Sequence, residues 1–498
     1  MGVIREILKK DFKNFTPFFV LILLIISVFA TQDSYDFYFI ADNGREIVTN
    51  GFPHTDWVSM HSDLNVVLQQ WVVSVINWLL YSTFGFTGVH IWAICVSFIL
   101  GCLIFFVTLI FSNRNYLLSM LLTLPTHLCI AAMYACPRPQ MYSAIIVLLT
   151  ILILEWYTHY NKTKLLYLLP ILSIAHANIH ATFWPLTVGI MCFYVVVSFI
   201  YKYKNKQLLI LTVISLMVGL INPWGLDALI QPLFTRGYLL YTVISELGPA
   251  GVKDSLIFII VPLMAISVLI TYNIMSKRNI KNKIPLIIMA VVSNCAAIGC
   301  YRLAVYGVIL STITIGSLCD FYDCDCKRPP FISNLATFTN GLLLSAMTIF
   351  IIFSSIIMDL SYPLKNTEFR DLDAIKDIIA KDESPENETC ISLNVVEGQY
   401  LHFFTGIHPY MEGRLEIYID SVNKKEDYST KFYYATKKDP TIFMQLVEQY
   451  EIDYVVLEAD ANFGTSIAKM LDGKYELLYP GTDRENGNEI YQLWKKKT

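Results

Sequence analysis

The topology of this chain depends on residues 64–84, which read LNVVLQQWVVSVINWLLYSTF. A bilayer-spanning helix needs about 20 mostly apolar residues, and this segment has the right length. It is interrupted, however, by four polar residues, Gln69, Gln70, Ser74 and Asn77. Every crossing reverses the side of the membrane on which the chain emerges. Whether this segment crosses therefore decides on which side each later loop lies.

The distribution of positive charge decides between the two topologies. If residues 64–84 lie along the membrane surface, 16 of the 21 Lys and Arg residues within 1–360 fall on the side of the N-terminus. Cytoplasmic loops are enriched in Lys and Arg, and this asymmetry collapses if the segment crosses. We therefore predict an interfacial helix here, a cytoplasmic N-terminus and eleven spans. The predicted spans are 15–31, 86–112, 116–134, 141–160, 165–182, 184–201, 207–222, 255–274, 284–299, 303–319 and 334–360.

Charge divides the chain into two parts. Residues 361–498 hold 41 charged residues in 138 positions, whereas residues 1–360 hold only 37. The prediction is a polytopic α-helical membrane domain over 1–360, with a large first outer loop (31–85), followed by an extracytoplasmic α/β domain over 361–498. The two parts carry formal net charges of +5 and −9, so no basic surface for nucleic acid is present.

The C-terminal part alternates between helix-like and strand-like segments. Residues 424–438 are predicted to be a solvated loop, and two turns, 398–400 and 412–414, are predicted either to line a pocket mouth or to act as a structural cap. The predicted helices and strands are 373–380, 389–393, 442–450, 454–457 and 464–471, with a terminal hairpin of 475–479 and 489–493.

Polar residues collect at the outer ends of the predicted spans. Ionisable groups at such a depth serve a site or pair with one another. Simpler explanations exist: solvation for Asp33 and Asp36, snorkelling for Arg138, and hydrogen bonding for the two histidines. The candidate site residues are Asp33, Asp36, Asp56, Gln70, Arg138, His176, Asn178, His180, Asn222, Glu246 and Arg302.

This combination of residues suits one kind of chemistry. Arginine and histidine at the headgroup plane would bind a phosphate, and arginine does so with two parallel hydrogen bonds. A nearby carboxylate would act as a general base toward a hydroxyl group. Together they favour transfer of a group from a lipid-phosphate donor to a hydroxyl acceptor.

The predicted outer loops carry an ordered series of motifs. In the first outer loop and the helix after it, the series comprises Gly44-Arg45-Glu46-Ile47, Asn50-Gly51-Phe52-Pro53, Thr55-Asp56, Ser59, Gln70-Trp71, Tyr81 and Gly85. In later outer loops it comprises Arg138-Pro139, Asn178-Ile179-His180, Asn222-Pro223 and Glu246-Leu247-Gly248-Pro249. This ordered series resembles that of bacterial members of the GT-C superfamily of polytopic glycosyltransferases.

The resemblance implies an inverting glycosyltransferase of a bacterial plasma membrane that uses a polyprenyl-phosphate-linked sugar. The acceptor would be an extracytoplasmic glycan, lipid or protein. It implies Asp36 as the base, with Asp33 as the competitor and either Asp33 or Asp56 as the orienting residue. Phe37-Tyr38 stands where relatives often have Trp-His, and Gln70 stands where they often have glutamate. Because that histidine and that carboxylate are missing, a divalent metal is possible but unassigned.

Two other classes of function share some of these features. A transporter or flippase for a lipid-linked glycan would use the same phosphate-binding arginines, but it needs polar groups along a path through the membrane. The middles of the predicted spans are nearly free of charge. A non-enzymatic binding subunit on the same scaffold would be insensitive to replacement of Asp36.

Overall fold

The computed structural model describes residues 15–32, 34–61, 63–160, 163–201, 206–234, 256–319, 370–458, 462–481 and 491–497. The chain folds into two compact units. The membrane unit comprises Met1–Asp33, Phe84–Asn222 and Ile244–Pro363. The polar unit comprises Ser34–Thr83, Pro223–Val243 and Leu364–Thr498, and so joins the first outer loop to the C-terminal residues.

Helices dominate the described residues. Their bounds are α1 Thr16–Ala30, α2 Asp36–Asn50, α3 Trp71–Phe111, α4 Tyr116–Tyr134, α5 Gln140–Tyr160, α6 Leu168–Ile179, α7 Trp184–Ile200, α8 Lys206–Val218, α9 Asp227–Phe234, α10 Leu256–Met275, α11 Ile284–Gly299, α12 Ala304–Leu318, α13 Arg370–Ile379, α14 Val395–Thr405, α15 Asp420–Asn423, α16 Tyr428–Lys437, α17 Pro440–Gln449 and α18 Asn462–Leu471.

Ten of the eleven predicted spans coincide with helices, and the eleventh, 334–360, lies outside the described residues. Among the described residues, six helical segments are long and apolar enough to cross a membrane: Trp71–Phe111, Tyr116–Tyr134, Gln140–Thr158, Ala181–Ile200, Lys281–Gly299 and Tyr301–Leu318. The protein is thus a multi-pass membrane protein. The count of eleven stays a prediction.

Helix α3 breaks at Gly85, whose φ of 63° and ψ of −161° are non-helical. Only glycine adopts such a conformation without strain, because it has no Cβ. In the part before the break, Ser74 and Asn77 are buried, whereas Leu79 and Phe84 are 50% and 66% exposed. This inverted arrangement suits a helix lying in the lipid interface, as the sequence predicts for residues 64–84. The helix begins only at Trp71, so residues 64–70 are not helical, contrary to the prediction.

Helix α12 lies at the centre of the membrane unit, and all its residues except Val308 are buried. Its polar side chains bond to two neighbouring helices. The Thr312 hydroxyl lies 2.6 Å from that of Thr126 on α4, and Asn294 on α11 donates to Ser311 over 2.8 Å. Because lipid gives apolar helix surfaces little reason to associate, such hydrogen bonds help to hold membrane helices together.

The polar unit is built on a five-stranded sheet in the order β2-β1-β3-β5-β4. Strand β1 pairs in parallel with β2 and β3, while β5 pairs antiparallel with β3 and β4. The bounds are β1 Thr389–Ser392, β2 His408–Pro409, β3 Tyr454–Glu458, β4 Tyr475–Tyr479 and β5 Tyr491–Lys496. The sequence predicts four of these strands and places the last two in a hairpin, but it misses β2.

Two local predictions in this unit are wrong. Residues 424–438 are not a solvated loop, because they contain helix α16: Asp427 caps its first turn by accepting from the backbone N–H of Thr430 at 2.9 Å, and Phe432 and Ala435 are buried. Residues 398–400 are not a turn, because they lie within α14. Its start is fixed by reciprocal hydrogen bonds of Asn394 and Glu397, which outweigh the low helix propensity of Gly398.

We expect Thr312→Val to lower the stability of the membrane unit by about 1 kcal/mol, because it removes the interhelical bond to Thr126. Thr108→Val is the matched control, since the buried Thr108 hydroxyl has no hydrogen-bond partner among the described residues. Thermal unfolding in detergent micelles measures both. Equal midpoints for the two variants would contradict the assignment of α12 as a hydrogen-bonded centre.

Candidate active site

Asp36 is the first residue of α2, and its side chain is half-buried. A carboxylate in the first turn of a helix interacts favourably with the helix dipole. The helix is anchored by the buried side chains that follow: the ring of Tyr38 packs edge-on against Tyr400 and Phe403 of α14, at 5.0 and 5.6 Å. Asp36 is thereby held on a rigid element. Asp33 lies outside the described residues.

Asp56 is enclosed by protein groups. Its side chain is fully buried and forms an ion pair of 2.5 Å with Arg414. It also accepts from the backbone N–H of Val58 at 3.1 Å and from the hydroxyl of Ser59. Burial alone would raise the pKa of Asp56, but Arg414 and these hydrogen bonds outweigh it and hold the pKa below its usual range. The geometry favours a structural role for this carboxylate.

Arg414 is buried and contacts a second carboxylate, that of Glu412, at 2.6 Å. One guanidinium therefore faces two acids in a place without solvent. Burial raises the pKa of Glu412, Arg414 lowers it, and the neighbouring Asp56 raises it again, for a net rise. The cation thus balances ionised Asp56, while Glu412 is shifted toward its protonated form.

Helix α2 also carries a buried acid, Asp42, which was not selected as a site residue from the sequence. It pairs with Arg45 and receives a hydrogen bond from Trp57 Nε1 at 3.2 Å. His402 of α14 approaches it at 3.4 Å while donating its other ring nitrogen to the carbonyl of Ile407. Burial would raise the pKa of Asp42, but His402 and Arg45 reverse the effect and lower it to about 2.

In the membrane unit, the structure brings three of the predicted phosphate-binding residues into one cluster. The Nδ1 atom of His180 lies 2.7 Å from the hydroxyl of Ser143, which also bonds to Tyr306. Arg302 lies close enough to act electrostatically on both His180 and Tyr306, and His176 acts on His180. We call His176, His180, Arg302, Ser143 and Tyr306 the basic cluster.

Within the basic cluster, His176 is buried and bonds through Nδ1 to Thr187 at 2.7 Å. Its Nε2 atom has no hydrogen-bond partner among the described residues. A buried polar atom without a partner is costly in a folded protein, and a ligand that supplies the missing partner removes that cost. The sequence predicts the two histidines and Arg302 but gives no signal for Ser143 and Tyr306, which lie inside apolar spans.

The remaining candidates are placed as follows. Arg138 is half-buried in the turn between α4 and α5. Asn178 donates to the carbonyl of Ile221 at 2.9 Å and so ties the end of α6 to the end of the α8 segment. Asn222 bonds the carbonyl of Gly219, and Gln70 directly precedes α3. Glu246 lies outside the described residues.

No three His, Cys, Asp or Glu side chains are grouped to hold a metal ion in the part of the chain that the structure describes. We therefore assign no metal ligand.

The fold is similar to that of two solved membrane enzymes. AglB, an oligosaccharyltransferase from Archaeoglobus fulgidus in complex with an inhibitory peptide and a dolichol-phosphate, matches with a TM-score of 0.59 and 11% identity, over 94% of this chain and 74% of AglB. ArnT from Cupriavidus metallidurans matches with a TM-score of 0.56 and 14% identity, over 97% of this chain and 98% of ArnT.

A structure of the archaeal oligosaccharyltransferase with Zn and sulfate is also similar, with a TM-score of 0.57 and 10% identity over 94% of this chain and 73% of that chain. No protein-family model and no curated protein sequence matches this chain. AglB and ArnT are GT-C superfamily membrane glycosyltransferases. The fold of this chain is thus similar to that of these two enzymes.

The stability of the polar unit should depend on pH through Asp42. Its pKa is lowered from 3.8 to about 2 on folding, so its stabilising effect is complete above pH 4 and is lost as the pH falls through 2. We expect this loss to be about 2 kcal/mol. The free energy of unfolding in detergent between pH 2 and 5 measures it.

In that measurement, Asp42→Asn should lack this part of the pH dependence. Asp377→Asn is the matched control, because the Asp377 side chain is 71% exposed. It should keep the wild-type slope. A wild-type slope in Asp42→Asn would show that the buried network does not depend on the ionised carboxylate.

Proposed function

We propose that this protein is an inverting GT-C-type glycosyltransferase of a bacterial plasma membrane. It would move a hexosyl or pentosyl unit from a polyprenyl-phosphate donor to an extracytoplasmic glycan, lipid or protein. The observation that carries this proposal is the likeness to ArnT, which covers 97% of this chain and 98% of ArnT. The N-terminus would be cytoplasmic and the C-terminal domain extracytoplasmic, as the positive charges of the loops favour.

Asp36 is the proposed base. Its carboxylate would accept the proton of the acceptor hydroxyl while the acceptor oxygen attacks the anomeric carbon. The bond from that carbon to the donor phosphate oxygen breaks, and the sugar inverts. Its half-buried position at the start of α2 supports this role, because the carboxylate combines a fixed backbone with partial access to solvent.

The basic cluster is the proposed phosphate-binding set, together with Arg138. Arg302 would stabilise the negative charge that grows on the leaving phosphate. His176 would reach it through the unpaired Nε2, and His180 would be oriented by Ser143. The dolichol-phosphate held by AglB and the sulfate held by the same archaeal enzyme are consistent with an anionic lipid ligand on this fold.

Asp36→Asn should abolish sugar transfer, because the amide cannot accept the proton, while donor binding is retained. The assay compares transfer by purified wild type and variant on a panel of polyprenyl-phosphate sugars, with and without a metal chelator. Asp63→Asn is the control in the same loop, since the Asp63 side chain is 84% exposed. It should transfer sugar at the wild-type rate.

The other outcomes separate the alternatives. Equal turnover by wild type and Asp36→Asn would move the base to Asp33 or Asp56. Donor binding without transfer on any donor would favour a binding subunit or a flippase. Loss of turnover on addition of the chelator would establish the metal requirement.

Arg302→Gln should weaken donor binding about tenfold or more, because a hydrogen bond to a charged group is lost. The effect should appear in the KM for the donor and in its affinity for the purified protein. Arg114→Gln is the control, because Arg114 is exposed between α3 and α4 on the predicted cytoplasmic side. Unchanged donor affinity in Arg302→Gln would remove the basic cluster from the donor site.

A further inference from the structure

Residues of the C-terminal domain reach the start of the helix that carries Asp36. The side-chain amide of Gln399, on α14, donates a hydrogen bond of 2.6 Å to the backbone carbonyl of Tyr35. The two residues are 364 positions apart in the sequence. Gln399 is buried, with 3% of its surface exposed, whereas Tyr35 is 37% exposed, so the bond is partly shielded from water.

The bonded carbonyl belongs to the peptide that joins Tyr35 to Asp36. A peptide unit is planar, so its carbonyl oxygen lies in one plane with the nitrogen and Cα of the next residue. A hydrogen bond that fixes the Tyr35 oxygen therefore restrains the backbone from which the Asp36 side chain extends. No other atom of Gln399 is needed for that effect.

The oxygen of the Gln399 side-chain amide indicates that the residue is there for its hydrogen bond rather than for its volume. Its Oε1 is buried and has no hydrogen-bond partner among the described residues. A methionine of similar size would fill the same space without an unpaired oxygen. If the amide were turned so that Oε1 faced the Tyr35 carbonyl, two acceptors would meet. Only the observed orientation, with Nε2 toward that carbonyl, forms a hydrogen bond.

Gly413 packs against both Gln399 and the first turn of α2. A Cβ at this position would lie 2.5 Å from Gln399 Oε1 and 2.5 Å from the Phe39 ring. Phe39 is three residues after Asp36, in the first turn of α2. The absence of a side chain at Gly413 thus lets one loop close over both the hydrogen-bond donor and the turn that it restrains.

We propose that Gln399 is a positioning residue for Asp36, through which the C-terminal domain sets the orientation of the base. This inference rests on the proposed function, because it assigns a role within the same reaction. Gln399 does not touch the substrate in this scheme. Its loss should therefore reduce kcat and leave the KM for the donor unchanged.

The test compares Gln399→Met with Gln445→Met, an exposed glutamine on α17. We expect Gln399→Met to lower kcat about 10- to 100-fold at constant donor KM, since small errors in the placement of a catalytic group have effects of this size. Gln445→Met should match wild type. Hydrogen exchange of a peptide covering residues 34–40 should be faster in Gln399→Met alone.

Gln399→Glu gives a readout that a purely structural role would not produce. When protonated, the introduced carboxyl can donate to the Tyr35 carbonyl, but when ionised it repels that oxygen. Its kcat relative to wild type should therefore rise as the pH is lowered from about 8 to about 5.5, through the titration range of a buried carboxyl. A ratio that does not vary with pH would overturn the proposal.

The outcomes keep the two proposals distinguishable. Wild-type kcat and wild-type exchange in Gln399→Met would overturn the positioning role while leaving the glycosyltransferase intact. Faster exchange over residues 34–40 without transfer by wild type on any donor would retain the structural restraint and reject the proposed function. Lower stability of Gln399→Met with unchanged kcat would reduce Gln399 to a packing residue.

Discussion

The polar unit depends on Arg414, a buried cation that bonds Asp56 of the first outer loop and Glu412 of its own turn. Removing one partner of such a pair leaves an uncompensated charge, which costs several kcal/mol. The loop around Asp56 is held further by two bonds to the C-terminal residues: the backbone N–H of Met60 donates to the carbonyl of Pro409, and the side chain of His408 donates through Nδ1 to the carbonyl of Val58. The charge cluster thus fixes the loop, and the loop leads back to the helix that begins with Asp36.

The membrane unit was largely predictable from the sequence. Its helices are set by apolar length alone, because a bilayer requires every backbone group to be bonded within its own segment. Ten of the predicted spans accordingly coincide with helices, and Gly85 separates residues 64–84 from the next helix as expected. The prediction of a loop at α16 failed because the charges in this segment suggested solvation. Its buried residues, Ser429, Phe432, Ala435 and Thr436, have the spacing of one helix face and do not form a run of apolar residues.

The sequence selects candidate site residues but not the way in which they are arranged. Asp36, His176, His180 and Arg302 were selected because they are polar residues at the ends of apolar segments, and three of them form the basic cluster. Ser143 and Tyr306 carry no such signal, since a hydroxyl inside a span is common and inexpensive when it bonds locally. The contact of Asp42 with His402 and that of Gln399 with Tyr35 were not foreseen, because each joins residues more than 350 positions apart and no local pattern records that distance.

The wide separation of these partners has a consequence for synthesis. Asp56 leaves the ribosome 358 residues before Arg414, so at usual rates of translation about 20–70 s pass before the two can meet. Throughout that interval Asp56 lacks its cation. For nearly all of it, the aromatic side chains Phe37 and Tyr38 also lack their partners on α14. The first outer loop is therefore among the last parts of the polar unit to reach its final fold, although its residues are among the first to be made.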